Sequence, residues 1–262
     1  MLGFSTLAAA SAMACTPVPG ADRLWEPSTR WVIVGEIHGT VETPAAFTDL
    51  ACLASETGRP VVVAIEYSAD WQSVVDAWLL SDGGEAARAA LMTLRIWRTD
   101  IPDGRGSVAF LDMLDRLRRM KQAGQIAGVV CADVSETGWG DETRDSLMAR
   151  AWQSIDAPED GIILALVGNA HAMRLPWTLR DRTIVTAASL MPPERAITVS
   201  VFGNGGTAWN CREGGCGPRP NGPPRAAATG ITYLTAPDAR WGAIFELGVP
   251  TTAAEPAASV RR

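Results

Sequence analysis

The chain contains only two histidines, and both stand in the same local frame. His38 closes Gly35-Glu36-Ile37-His38 after the apolar run "WVIV", and His171 closes Gly168-Asn169-Ala170-His171 after "IILALV". Two other apolar runs end in an acid: Glu66 follows "VVVAI" and Asp133 follows "VVCA". Glu36 and Glu42 flank the first histidine. Imidazole among carboxylates can do two kinds of chemistry. His38 can deprotonate a positioned water near neutral pH, with a glutamate orienting the ring. Alternatively, His38, Glu36, Glu66 and His171 can ligate a divalent metal ion and leave one position open for water. Residue types and spacing do not choose between the two.

The elements that must position these groups are read from hydrophobic patterning. Strand-length apolar runs recur at 31–34, 61–65, 128–132, 162–167, 183–187, 196–202 and 241–247. They are nearly continuous rather than alternating, as strands buried on both faces of a parallel sheet require. Helical patterns lie between the early runs. One begins at Thr43-Pro44 and stops before Gly58, one carries Trp71, Val74, Val75, Trp78 and Leu79 on one face, and others cover 85–97, 108–123 and 142–155. In 108–123 acids lie early and bases late, matching the helix dipole. The alternation predicts an α/β fold, with a mostly parallel central sheet flanked by helices. Its site should lie at the C-terminal strand ends, where open sheets of this kind bind ligands. His38, Glu66, Asp133 and His171 all fall there.

The 262 residues carry a formal charge of −6 and a single lysine, Lys121. That balance argues against nucleic acid as a partner. The lone lysine stands in "RRMKQA", which excludes a P-loop, and Schiff-base or Ser-x-x-Lys chemistry has no other lysine to use. No Gly-x-Ser-x-Gly elbow is present, which argues against a serine hydrolase. Residues 1–24 read as a signal or lipoprotein-like segment with Cys15 as the candidate lipid-anchored residue, so the protein is expected to be exported, periplasmic or membrane-anchored. Residues 25–249 read as one α/β domain, with a Gly/Pro-rich loop at 203–230 and a disordered tail at 250–262. Cys211 and Cys216 are expected to form a disulfide, and Cys52 and Cys131 to be buried free thiols. Trp97 and Trp139 read as core residues.

Taken together, "GEIHGTVE", "IEYS", "TRDSLMA" and "GNAHA" resemble the erythromycin-esterase/ChaN/Tiki superfamily over about residues 31–175. The resemblance implies an α/β fold with its site at the strand C-termini. It also implies one of several activities: ester hydrolysis, metal-dependent proteolysis or haem binding. His38 matches the family's base or ligand, Glu66 the acid after the second strand, and His171 the second histidine. The esterases place their first glutamate three residues before the histidine. Here Glu36 is two before His38, a spacing nearer the ChaN-like and Tiki-like form.

The leading expectation is an exported hydrolase acting on an ester or peptide bond of a small-molecule or peptide substrate. Its water is activated by His38, Glu36, Glu66 and His171, directly or through a divalent metal. Arg105 and Arg144 are candidates to hold an anionic substrate group. The alternative is a haem-binding lipoprotein for iron uptake, with Tyr67 as an axial ligand.

Overall fold

The structure, a computed structural model, describes residues 14–98, 102–135, 142–213, 215–225 and 228–259. Most of the leader-like segment, and Trp139, lie outside the described residues. The elements in chain order begin with β1 (Trp31–Glu36), α1 (Glu42–Ser55), β2 (Val61–Ser68), α2 (Gln72–Leu80) and α3 (Glu85–Leu91). They continue with α4 (Val108–Gln122), β3 (Gly128–Asp133), α5 (Arg144–Gln153) and β4 (Ile162–Gly168). A small hairpin, β5 (Trp177–Leu179) and β6 (Arg182–Ile184), follows, then β7 (Ala196–Phe202). The last strands are β8 (Thr207–Arg212), β9 (Gly215–Pro220), β10 (Gly230–Tyr233) and β11 (Ala243–Glu246).

Seven strands form the central sheet in the order β10-β11-β7-β1-β4-β2-β3. All neighbours are parallel except β10 and β11. The apolar runs are continuous because both faces are covered: every residue of β1, β2 and β4 is buried. Alternate side chains sort to opposite faces. Val32, Val34, Val63, Ile65, Leu164 and Leu166 pack with α1, α2 and α4 through Phe47, Leu50, Trp78, Phe110 and Leu114. Ile33, Val62, Ala64, Ile163, Ala165 and Val167 pack on the other face with Met148 and Trp152 of α5. Ser107 and Thr143 cap α4 and α5 by accepting from the N–H groups of Phe110 and Ser146.

Several expectations are corrected. The run at 183–187 is not a strand of the central sheet; its first residues belong to the β5–β6 hairpin, whose tip residues Arg180 and Asp181 take positive φ. The pattern at 85–97 divides into α3 and a 3-10 turn at Arg95–Trp97. Residues 203–230 are not one structureless loop: β8 and β9 pair antiparallel, with Cys211 opposite Cys216 and the two joined by a disulfide as expected. Cys52 is not a free thiol, since it is bonded to Cys15, whereas Cys131 is free and buried. The lipid-anchor reading of Cys15 needs that same sulfur, which the disulfide occupies.

The described part of the tail, 250–259, is ordered as well. Residues 251–257 run back across the molecule, because several loop backbone groups find their partners there. Thr252 accepts from Val41 N–H at 2.9 Å, Ala254 donates to Gly39 O at 2.8 Å, and Glu255 accepts from Val108 N–H at 2.9 Å. Deleting residues 250–262 should therefore lower stability by several kcal/mol, at about 1 kcal/mol for each backbone bond lost. The denaturant midpoint checks this; an unchanged midpoint would show the tail contributes nothing.

Candidate functional site

Glu66 is the centre of the site. It lies where the β2–β3 register shifts, between Ile65 and Ser68, a bulge that re-aims side chains at the strand end. Its carboxylate is buried and fully used. Oε1 accepts from Arg105 Nη1 at 2.8 Å and Arg144 Nη2 at 2.5 Å, and Oε2 accepts from the Gly168 N–H at 2.5 Å. Burial alone would raise its pKa, but His38, Arg105 and Arg144 outweigh burial and hold it well below the usual carboxylate range.

His38 stands between two acids. Its Nδ1 is 2.9 Å from Glu36 Oε1, and its Nε2 is 3.5 Å from Glu66 Oε2. Burial pulls the imidazole's pKa down, but the Glu66 and Glu36 carboxylates more than reverse this and raise it to about 10. The ring is therefore an imidazolium at neutral pH, with its side chain still 22% exposed. The second Glu36 oxygen, Oε2, is a buried acceptor without a partner among the described residues.

His171 is held differently. Its Nδ1 lies 2.8 Å from Asp145 Oδ1, which also accepts from the Ala187 N–H at 2.7 Å. With the carboxylate as acceptor, Nδ1 carries the proton and Nε2 presents its lone pair, a tautomer assigned from the network. Arg144 Nη1 meets that nitrogen at 3.1 Å. The first turn of α5 thus supplies both the cation and the acid, because Thr143 caps the helix just before them.

The two histidines converge because β1 and β4 are neighbours, with Glu36 opposite Gly168. A β-carbon on Gly168 would lie 3.1 Å from His38 Nε2, 3.4 Å from Glu66 Oε2 and 3.5 Å from His171 Cδ2. The missing side chain is what lets both imidazoles and the Glu66 carboxylate close over this strand end. Asp133 joins through Arg144, which donates from Nε to Oδ1 at 2.9 Å and from Nη2 to Oδ2 at 2.5 Å. Beside this cluster a cleft of about 290 Å³ is lined by Arg105, Arg144, Ser68, Trp71, Ile96 and Ser135 among others.

Of the residues singled out from sequence, His38, Glu36, Glu66, His171, Asp133, Arg105 and Arg144 are brought together. Glu42 is not: its carboxylate accepts from Thr252 N–H, at the start of α1. Tyr67 is not a ligand site either. It is buried, stacks on Phe110, and donates its hydroxyl to Arg105 O at 2.7 Å. Burial pushes its pKa well above the usual tyrosine value, which opposes an axial tyrosinate. Trp97 is core, as expected. Two residues were missed. Asp103 pairs with Arg105, and Asp145 orients His171. Their only sequence signal is adjacency to the arginines, in "DGR" and "RD".

The arginines are largely committed to carboxylates. Arg105 donates to Asp103 and to both the backbone and side chain of Glu66. Counting five donors per guanidinium leaves about one N–H free on each of Arg105 and Arg144. The donor set does not fit a divalent cation. Both Glu66 oxygens and His171 Nε2 already face cationic or N–H donors, which a metal ion would have to displace. Among the described residues no group of three or more His, Cys, Asp or Glu side chains is arranged to hold one.

Two outcomes follow from this geometry. Gly168→Ala should cut activity by ten-fold or more while leaving the fold intact by circular dichroism, because its methyl would push His38 and Glu66 apart; full activity would place the reacting atoms elsewhere. The raised pKa of His38 makes its stabilising contribution complete below the unfolded value of 6.5 and progressively lost as pH rises towards about 10. Denaturation at pH 6.5 and pH 10 should show that loss, and His38→Gln should reduce it.

No protein-family model matches the chain, and no curated protein does. Solved structures do match. A histidine-to-asparagine mutant of the erythromycin esterase EreC, in its open conformation, aligns with 91% of this chain and 94% of its own, at 13% identity and a TM-score of 0.67. The type III effector HopBA1 aligns with 92% of this chain and 98% of its own, at 15% identity and a TM-score of 0.48, and carries no weight. The chain thus has an erythromycin-esterase-like fold, as the motif resemblance implies.

Proposed function

We propose that this protein is an exported hydrolase that cleaves an ester or peptide bond without a metal. The observation that carries the reading is the pair of carboxylate-backed imidazoles, Glu36–His38 and Asp145–His171, which close together over the bare backbone of Gly168. The two rings are in different states and suit different tasks. His38, raised to about 10, is the acid: it can donate from Nε2 to a carbonyl oxygen or a leaving group. This reverses the base role that its motif suggests. His171, its Nδ1–H directed to Asp145, is the base for the attacking water. Arg144 lies against that nitrogen in the resting site, so water or substrate must displace this contact before the proton moves. Glu66 stays ionised and holds His38, Arg105 and Arg144 in place rather than attacking.

The substrate enters through the cleft lined by Trp71 and Ile96, whose apolar walls and single free guanidinium N–H groups suit a polar small molecule or peptide. Two disulfides support an oxidising compartment and hence export.

Turnover of chromogenic esters and unblocked peptides by chelator-treated protein tests the activity. Hydrolysis of neither class, or activity that returns only with added metal, overturns the reading. His38→Gln and His171→Gln should each lower kcat by about 10²-fold or more, with the double variant little worse than either, as for groups acting together. The rate should fall on the alkaline side as His38 loses its proton near pH 10. Since Glu36 helps to raise that value, Glu36→Gln should move the alkaline limb to lower pH. An unmoved limb would mean that His38 is not the acid.

A further inference from the structure

Three segments distant in sequence meet at Gly39, the residue after His38. Its carbonyl accepts from Trp209 N–H of β8 at 2.7 Å and from Ala254 N–H of the tail at 2.8 Å. Its α-carbon faces the same β8 residue so closely that an added β-carbon would lie 2.0 Å from Trp209 O. From the other side comes the loop before α4: a β-carbon on Gly104 would lie 2.1 Å from Gly39 N and 2.9 Å from the His38 carbonyl carbon. Gly39 also takes φ of 88°, a left-handed conformation that favours glycine, so the close approach and the turn require the same residue.

The strand that touches Gly39 belongs to a hairpin outside the central sheet. Among the described residues it is a two-stranded sheet of β8 and β9, bridged to the tail only at its base, where Gly206 pairs with Thr251, and a two-stranded hairpin is marginal by itself. The Cys211–Cys216 bond joins the two strands at a directly opposed pair. Cys211 Sγ also lies 3.5 Å from Pro102 O, one residue before Asp103, which pairs with Arg105. The cross-linked hairpin therefore touches both loops that build the site, the one bearing His38 and the one bearing Arg105.

We propose that the Cys211–Cys216 hairpin is a redox-dependent clamp, with the backbone of Trp209 as the positioning contact that keeps His38 between Glu36 and Glu66. A dithiol reductant opens it: one S–S bond breaks, two thiols form, and the reductant leaves as a disulfide. The freed hairpin then lets the Gly39 turn relax and His38 withdraw from Glu66, its longer contact at 3.5 Å. The oxidised form is the competent one.

The test reads His38 directly and does not depend on the hydrolase reading. Because the chain has two histidines, the imidazole C–H signals of the full-length protein form two sets, assigned with His171→Gln. They are followed against pH in the wild type and in C211S/C216S, which keeps the Cys15–Cys52 bond. The expected result is a folded double variant in which the His38 midpoint falls by a unit or more from about 10 towards 6.5. The His171 signals should titrate as before, and hydrolysis, where assayed, should fall in kcat rather than rise in KM. An unchanged His38 midpoint overturns the proposal. Loss of the fold by circular dichroism overturns it too, because the bond would then be a general staple and not a local clamp. Lost hydrolysis in the wild type, with the His38 shift present in the variant, would count against the hydrolase reading alone.

Discussion

A carboxylate buried at the end of a strand in a parallel sheet has to be compensated, and the Glu66 charge is the constraint around which the rest of this site is arranged. An isolated ionised carboxylate in such a place would cost several kcal/mol or protonate instead. Here it stays charged because an imidazolium, two guanidiniums and a backbone N–H converge on it. Each of those cations is in turn held by a further acid: His38 by Glu36, Arg105 by Asp103 and Arg144 by Asp133. The pairs share members, so removing Glu66 takes a carboxylate away from His38, Arg105 and Arg144 at once. That is a different design from a metal centre, where the acids would face one shared cation and not several fixed ones.

The fold was legible because its signals are redundant. Continuous apolar runs at 31–34, 61–65, 128–132 and 162–167 demand a sheet covered on both faces, and β1 to β4 are four of its seven strands. The convergence of His38 and His171 follows from the two Gly-x-x-His turns once β1 and β4 are neighbours, a pairing the turns alone did not decide. What was not legible has a common cause. The residues at 203–220 and 251–257 have no apolar period, so composition made them loop and tail. Their order comes from backbone hydrogen bonds to other loops, which leave no mark in side-chain pattern. Cys52 was misread for a related reason: its partner lies 37 residues away across a linker, and pairing of that kind is set by tertiary approach.

Electrostatics also escaped the sequence. His38 beside a glutamate suggests a base near neutral pH, yet a second carboxylate from another strand raises its pKa to about 10 and keeps the same ring protonated there. The difference is one contact between β1 and β2, which are not even adjacent: β4 lies between them, and its glycine end, Gly168, lets Glu66 and His38 meet across it. A larger residue there would separate the two charges and change the chemistry without touching either.

The charge count constrains what can bind. Glu36, Glu66, Asp103, Asp133 and Asp145 face His38, Arg105 and Arg144, so the ionised cluster is net negative with the arginines in place. A guanidinium that already satisfies two carboxylates attracts a third anion weakly. The arginines therefore read better as the frame that fixes Glu66 and orients His171 than as a clamp for an anionic substrate. What the cleft offers beyond that frame is about one unengaged N–H on each guanidinium and the apolar walls at Trp71 and Ile96, a lining that suits a neutral polar group better than an anion.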